Sequence, residues 1–268
     1  MSGGPAPVAQ AAASAESARV TALAAGLLPE LLIAQNPIEA LDTTEFVLLE
    51  RFGRRTSALE PAPRSVEDLK ASLESRGLEA TAFEGGSLAL LRRLDHPVAL
   101  ALNAADARSG AAPLRWVAVV GFEADRVRVA GLMPGREVTI RVEEFEELWS
   151  ETGIVVWERF ERIPAILSHN DEGGGVVWLQ RALNELDFHV EPPTGQYDLA
   201  TLDAVKRFQS ERGLIADGVT GPLTQIALFG RLERYPVPRL SAESTSESPP
   251  TSLPPSAMGG GIGGGERG

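Results

Sequence analysis

The chain has 268 residues, a formal net charge of -12 at pH 7, and 43% hydrophobic residues. That is enough apolar material for about two domains with real cores, while the acidic balance and the lack of any basic stripe interleaved with aromatics exclude nucleic acid and anionic membrane surfaces as partners. The cysteine count is zero, which excludes disulfides, thiolate metal sites and cysteine nucleophiles together.

Residues 1–37 open as an Ala/Pro/Gly-rich lead without a basic n-region followed by an apolar run, so they carry no secretory signal. The most apolar window, "VTALAAGLLPELLIA", is broken by Pro29 and Glu30 and falls short of the ~20 residues of a membrane span. It reads as a soluble helix closing a segment otherwise too poor in core residues to order itself.

Residues 38–160 are patterned as an α+β domain. "PIEALDTTEFVLLERFG" carries an early Pro, apolar residues at helical spacing and a terminal Gly53. In "SVEDLKASLESRG", Ser65 is the N-cap, Asp68 its acidic N3 partner and Gly77 the stop. The period then changes. "LEATAF", "PVALALN", "RWVAVVGF", "DRVRVAG", "REVTIRV" and "GIVVWER" are short β-branched or alternating runs, as in an antiparallel sheet. Between the last two, "VEEFEELWS" is a short helix whose Glu143, Glu144, Glu146 and Glu147 form a solvated face around Phe145, Leu148 and Trp149.

The words "FVLLERFG", "GLEATAFEGGSLALLRRLDHPVALALN", "RWVAVVGFEADRVRV" and "EEFEELWSETGIVVW" resemble the papain-like domains related to the C39 bacteriocin-processing peptidases, in the degenerate version of the general secretion pathway A family. The resemblance implies a Cys opening the first helix, a His starting the strand "RWVAVV" and an Asp after the next strand. None of the three is present: Leu114 and Arg115 stand at the His position, and "GLMPG" offers no carboxylate. An Arg cannot serve as a base, and Thr43 or Thr44 as a substitute nucleophile would still need one. The domain's single histidine, His96, precedes Pro97 and reads as a solvated turn residue; His169 and His189 read as surface residues. No metal, cofactor or P-loop ATPase motif is expected.

After a linker at 161–175, residues 176–235 read as a three-helix all-α bundle, followed by a Pro/Ser/Gly-rich tail at 236–268 expected to be disordered. Val176, Leu179, Leu183 and Leu186 share one helical face. A phrase is then written twice: Thr194-Gly195, Thr201, Ala204 and Val205 recur as Asp217-Gly218, Thr224, Ala227 and Leu228. Each copy is a Gly turn delivering a helix start, capped by Asp198 in the first and opened by Pro222 in the second. "WLQRAL", "TGQYDLATLDAVKRFQSERGL" and "DGVTGPLTQIAL" resemble the peptidoglycan-binding domain of the PGB-1 type, with Thr194 replacing the family's usual Asp.

That resemblance implies peptidoglycan as partner, and the polar groups around the turns are the candidate contacts: Gln196, Tyr197, Asp217 and Thr220, with Gln209 and Arg212 on the second helix. Tyr197 would stack on a sugar face and Arg212 would meet a stem-peptide carboxylate; a structural role for Tyr197 and Gln209 is an equal alternative. Two helix N-termini brought together would present free N–H groups and a partial positive field to anions, with Asp198 and Asp217 favouring an ammonium or amide instead. The tandem of inactive peptidase-like and wall-binding domains resembles the part of the general secretion pathway A family beyond its membrane span. It implies a non-catalytic module, periplasmic or wall-associated, that engages the wall while a type II secretion secretin assembles, in several copies and beside other secretion proteins. A wall hydrolase accessory and an interaction scaffold that no longer binds wall are the alternatives.

Overall fold

The computed structural model describes residues 20–54, 62–104, 114–188 and 192–241. The expectations for 1–19, His189 and the tail beyond 241 lie outside the described residues.

A seven-stranded sheet, in the order β1-β6-β5-β4-β3-β7-β2, forms the frame. Its strands are β1 (Val20–Ala22), β2 (Glu79–Phe83), β3 (Val98–Asn103), β4 (Leu114–Phe122), β5 (Arg126–Met133), β6 (Arg136–Arg141) and β7 (Trp149–Trp157). β3 to β6 are the expected meander. β7 returns to lie between β3 and β2, and every pairing is antiparallel except β1 with β6.

Both faces of the sheet are covered, which is why its central strands read as nearly continuous apolar runs. On one face lie α2 (Pro37–Arg51) and α3 (Val66–Ser75), whose Leu41, Leu48, Leu69 and Leu73 pack on Ala99, Ala118, Ile154 and Val156. The alanines leave room for α2 to approach the strands. Asn36 caps α2 by accepting the Ile38 N–H at 2.9 Å, and Ser65 and Asp68 form the anticipated capping box of α3, each side chain accepting the other's N–H at 3.1 Å.

The opposite face carries α1 (Leu28–Ala34), α4 (Leu88–Leu94) and α5 (Val142–Leu148). The domain boundary expected at 38 is therefore corrected: β1 completes the sheet, and Leu28 and Leu32 are fully buried in the main core. Glu144 is half-buried on the otherwise solvated face of α5. Its Oε1 accepts the Gly26 N–H at 3.0 Å and so holds the chain entering α1. α4 is a short helix inserted between β2 and β3, where the sequence pattern predicts none; Ser87 caps it through the Leu90 N–H, and Asp95 ends it in the left-handed region.

Three helices follow, α6 (Gly174–Glu185), α7 (Leu199–Arg212) and α8 (Pro222–Arg231). The stretch expected as a linker is packed rather than free. Ile163 and Leu167 are buried, Leu167 exchanges two backbone hydrogen bonds with Thr220, and the Gln225 amide donates to the Pro164 and Ala165 carbonyls at 2.9 and 3.0 Å.

One aromatic cluster joins the bundle to the sheet. Phe229 of α8 sits among Trp157, Phe160, Trp178 and Tyr235, with ring centroids 4.9 to 6.1 Å away. The Trp178 Nε1–H donates to the Tyr235 hydroxyl at 3.0 Å, which donates onward to Glu161 at 2.7 Å. The ordered chain runs past 236: Leu240 is buried, and the Ser241 N–H donates to Asp95 at 2.7 Å.

Candidate functional site

The two repeated turns are built by two buried glutamines. From α6, the Gln180 side-chain oxygen accepts the Gly195 N–H at 2.9 Å, and its amide donates to the Gln196 carbonyl at 2.9 Å and the Thr201 hydroxyl at 3.0 Å. From α7, Gln209 accepts the Gly218 N–H at 2.9 Å and donates to the Val219 carbonyl at 2.9 Å and the Thr224 hydroxyl at 3.1 Å. Gly195 and Gly218 have φ of +79° and +77°, a region open to Gly at no steric cost. Each turn exposes buried backbone groups that need a partner, and each preceding helix supplies one amide that serves both donor and acceptor.

This geometry divides the six candidate contacts. Tyr197 is 1% exposed, and its hydroxyl donates to the Gly218 carbonyl at 2.8 Å, tying the first turn to the second. Burial pushes its phenol up to about 12. It cannot stack on a sugar. Gln209, 2% exposed, is spent on the second turn, and Thr220 is fully buried and paired with Leu167. These three are corrected from contacts to framework. Gln196, Asp217 and Arg212 remain at the surface, but Asp217 accepts from Gln209 and from the Val219 N–H, and Arg212 pairs with Glu211.

Gln196 opens onto a groove of about 480 Å³ at the start of α7, walled by His169, Asp171, Glu172, Asp198 and Leu199. The backbone bridge between Glu172 and Gln196 fixes its two sides. Asp198 is the N-cap: the Thr201 N–H and hydroxyl donate to it at 2.8 and 2.7 Å, and these bonds hold its carboxyl below the usual range. The positive end of α7 is thus already occupied by a carboxylate. Asp171 accepts from the Ser168 N–H at 2.7 Å. With Glu172 exposed beside them, the groove offers acceptors to ammonium, amide N–H and hydroxyl groups. Of the two alternatives, helix ends that seek an anion and carboxylates that favour an ammonium or amide, the lining of this groove fits the second.

In the sheet domain, Thr44 is fully buried and donates to the Trp116 carbonyl at 3.0 Å. Arg115 is buried where the resemblance implies a His, and its Nε–H donates to the Gln35 carbonyl at 3.2 Å. His96 is not a solvated turn residue. It is 3% exposed, its Nδ1–H donates to the Leu94 carbonyl at 2.6 Å, and a Cβ on Gly230 of α8 would meet its Cε1 at 2.6 Å. Removal from water lowers its pKa to about 4. His169 is exposed as expected. Among the described residues, no cluster of three or more His, Cys, Asp or Glu could hold a metal, and no helix is long and apolar enough to cross a membrane.

Residues 172–228 match the family of putative peptidoglycan binding domains. The match starts at the groove wall and ends inside α8, so it takes in both glutamine-braced turns. Over 164 residues the chain is 24% identical to general secretion pathway protein A of Aeromonas hydrophila, a match covering 61% of this chain and 28% of that protein. The chain therefore corresponds to little more than a quarter of that relative's length. Among solved structures, the periplasmic domain of the EpsAB fusion protein of the Vibrio vulnificus type II secretion system is similar at 16% identity and a TM-score of 0.42, covering 73% of this chain and 82% of that one. The N-terminal peptidase C39 like domain of the toxin secretion ATP-binding protein from Vibrio parahaemolyticus is similar at 18% identity and a TM-score of 0.35, covering 47% of this chain and 98% of that one.

Proposed function

We propose that the chain is a non-catalytic wall-binding protein that holds peptidoglycan in the groove at the start of α7. The observation that carries the reading is the coincidence of the family match at 172–228 with the unit whose turns form that groove. The ligand groups favoured by its carboxylates are the free ammonium of a stem peptide and the hydroxyl and acetamido N–H groups of the glycan. Gln196 and Glu172 make the contacts, Asp198 both caps α7 and faces the ligand, and Tyr197, Gln209 and Thr220 act through the fold. Arg212 and Asp217 lie outside the groove and form at most its periphery.

The similarity to general secretion pathway protein A supports a place outside the cytoplasm, beside a type II secretion secretin as it assembles through the wall. One small groove binds weakly, because few contacts offset the loss of free motion; several copies on one sacculus raise the effective affinity without new contacts. The sheet domain serves as a platform rather than a peptidase. Its Thr44 hydroxyl is committed to a carbonyl, Arg115 cannot act as a base, and His96 is packed against α8.

Titration of the 15N-labelled full chain with a soluble muropeptide tests the site. Saturable shifts of the Glu172, Gln196 and Leu199 amides are expected. Shifts confined to Arg212 and Asp217 would move the site to the second turn, and no shifts at all would favour an interaction scaffold.

A further inference from the structure

A second recess, of about 260 Å³, lies where the sheet domain meets the bundle, between the C-terminal ends of α4 and α8. Four arginines line it, Arg92 and Arg93 of α4, Arg231 of α8 and Arg239 of the following segment. The only carboxylate in the lining is Asp95, and it is turned to the chain beyond α8, accepting from the Ser241 N–H and hydroxyl. In a chain of net charge -12 this is a local inversion of sign. Counting about half a negative charge for each of the two helix ends leaves the recess clearly positive.

The four cations are not equally committed. Arg92 is fixed as a wall: it donates to the Glu123 carbonyl at 3.0 Å, and its guanidinium lies 5.0 Å from the centre of the Phe122 ring. Arg239 spends one Nη on the Gly230 carbonyl at 2.8 Å and keeps its other donors. Arg93 lies over the Gly213 turn, where the missing Cβ gives it room. Neither Arg93 nor Arg231 has a hydrogen bond or ion pair among the described residues. A guanidinium keeps its charge at any working pH and presents a planar fork of donors that matches an oxyanion.

We propose that this recess binds a compact oxyanion, a carboxylate or a phosphate, held by Arg93, Arg231 and Arg239 against the fixed charge of Arg92. Its volume accommodates such a group together with a few waters. The ligand bridges an Arg of α4 to two from α8 and its extension, so occupancy ties the bundle to the sheet domain. The site is independent of the groove at α7 and of what that groove holds.

The test uses the 15N-labelled full chain, titrated at constant ionic strength with inorganic phosphate and, separately, with glutarate, following the Arg Nε–H resonances. Saturable shifts of Arg93 and Arg231 are expected below about 50 mM, a weak-site affinity. The double variant Arg93→Ala/Arg231→Ala, at two exposed positions and checked for unchanged helicity, should lose at least about tenfold in affinity. Saturation by glutarate alone identifies carboxylates as the ligand source, and by phosphate alone phosphate groups; either supports the site. Linear, unsaturated shifts with both anions, or equal affinity in the double variant, would overturn it.

Discussion

Gln209 accepts the Gly218 N–H through its side-chain oxygen at 2.9 Å, and Gln180 stands in the same relation to Gly195 at the same distance. The repeated phrase in the sequence is therefore two copies of one device. A Gly turn with positive φ is stitched by a buried amide from the preceding helix to a Thr in the following one. Replacing Gln209 by Leu leaves the Gly218 N–H buried without a partner and the Val219 carbonyl with only the Thr224 hydroxyl at 3.4 Å, at a cost of about 2–4 kcal/mol. Gln180→Leu should cost a similar amount. Urea unfolding of the two variants checks both, and a loss under about 0.5 kcal/mol in either would show that the amides are dispensable.

Tyr197→Phe should lower stability by about 1–2 kcal/mol, because it removes the donor to the Gly218 carbonyl and keeps the ring in place. Its effect on peptidoglycan binding at a temperature where the bundle is folded should be nil. A selective loss of binding with unchanged stability would return Tyr197 to the contact surface.

Phe229 lies 6.1 Å from Trp157 and 5.2 Å from Trp178, one ring of the sheet domain and one of the bundle. Phe229→Ala should therefore cost about 3–5 kcal/mol and change the fluorescence of both indoles together. Separate transitions in the variant, with one in the wild type, would locate the coupling between the two units in this cluster.

His96 adds a pH dependence. Burial against α8 lowers its pKa from 6.5 to about 4, with Asp95 opposing and Arg239 reinforcing the shift. Between those values the unfolded chain binds a proton that the folded chain refuses, so stability falls as pH drops from 6.5 towards 4, by up to on the order of 3 kcal/mol. Asp198 contributes in a lower window: its carboxyl is depressed, so its stabilisation fades only below the usual 3.8. His96→Asn can keep a donor near the Leu94 carbonyl and should flatten the slope between pH 7 and 4.5. Gly230→Ala should destabilise at every pH by about 1–3 kcal/mol, despite the better helix propensity of Ala, because its Cβ would press on the His96 ring.

The contrast between His96 and Ser65 marks what could be read from the sequence. Ser65, Asp68, Asp198 and Pro222 act within a few residues of themselves, so the helix starts they define were legible and stand where the pattern puts them. The alternating runs of the sheet were legible for the same reason. His96 precedes a proline at a strand start and looked solvated, because the glycine that buries it is in α8, at position 230. β1 is three residues long, with no periodicity of its own, and exists because β6 offers it a parallel edge. The candidate site suffered likewise. A polar side chain beside a turn looks the same whether it faces ligand or, like Gln209 and Tyr197, closes the turn from inside. The braces lie outside the repeated phrase as well: Gln180 stands 15 residues before Gly195 and Gln209 only 9 before Gly218, so no common spacing marks them.

Cosedimentation of the full chain with purified peptidoglycan, comparing wild type with Glu172→Gln/Gln196→Ala, tests the central claim most directly. Both substitutions are at exposed positions of the groove and should leave melting unchanged. The wild type should pellet saturably and the variant should lose about tenfold or more in affinity, the scale of one or two good polar contacts. A wild-type chain that is folded yet stays in the supernatant, or a variant that pellets as well as the wild type, would contradict wall recognition through this groove.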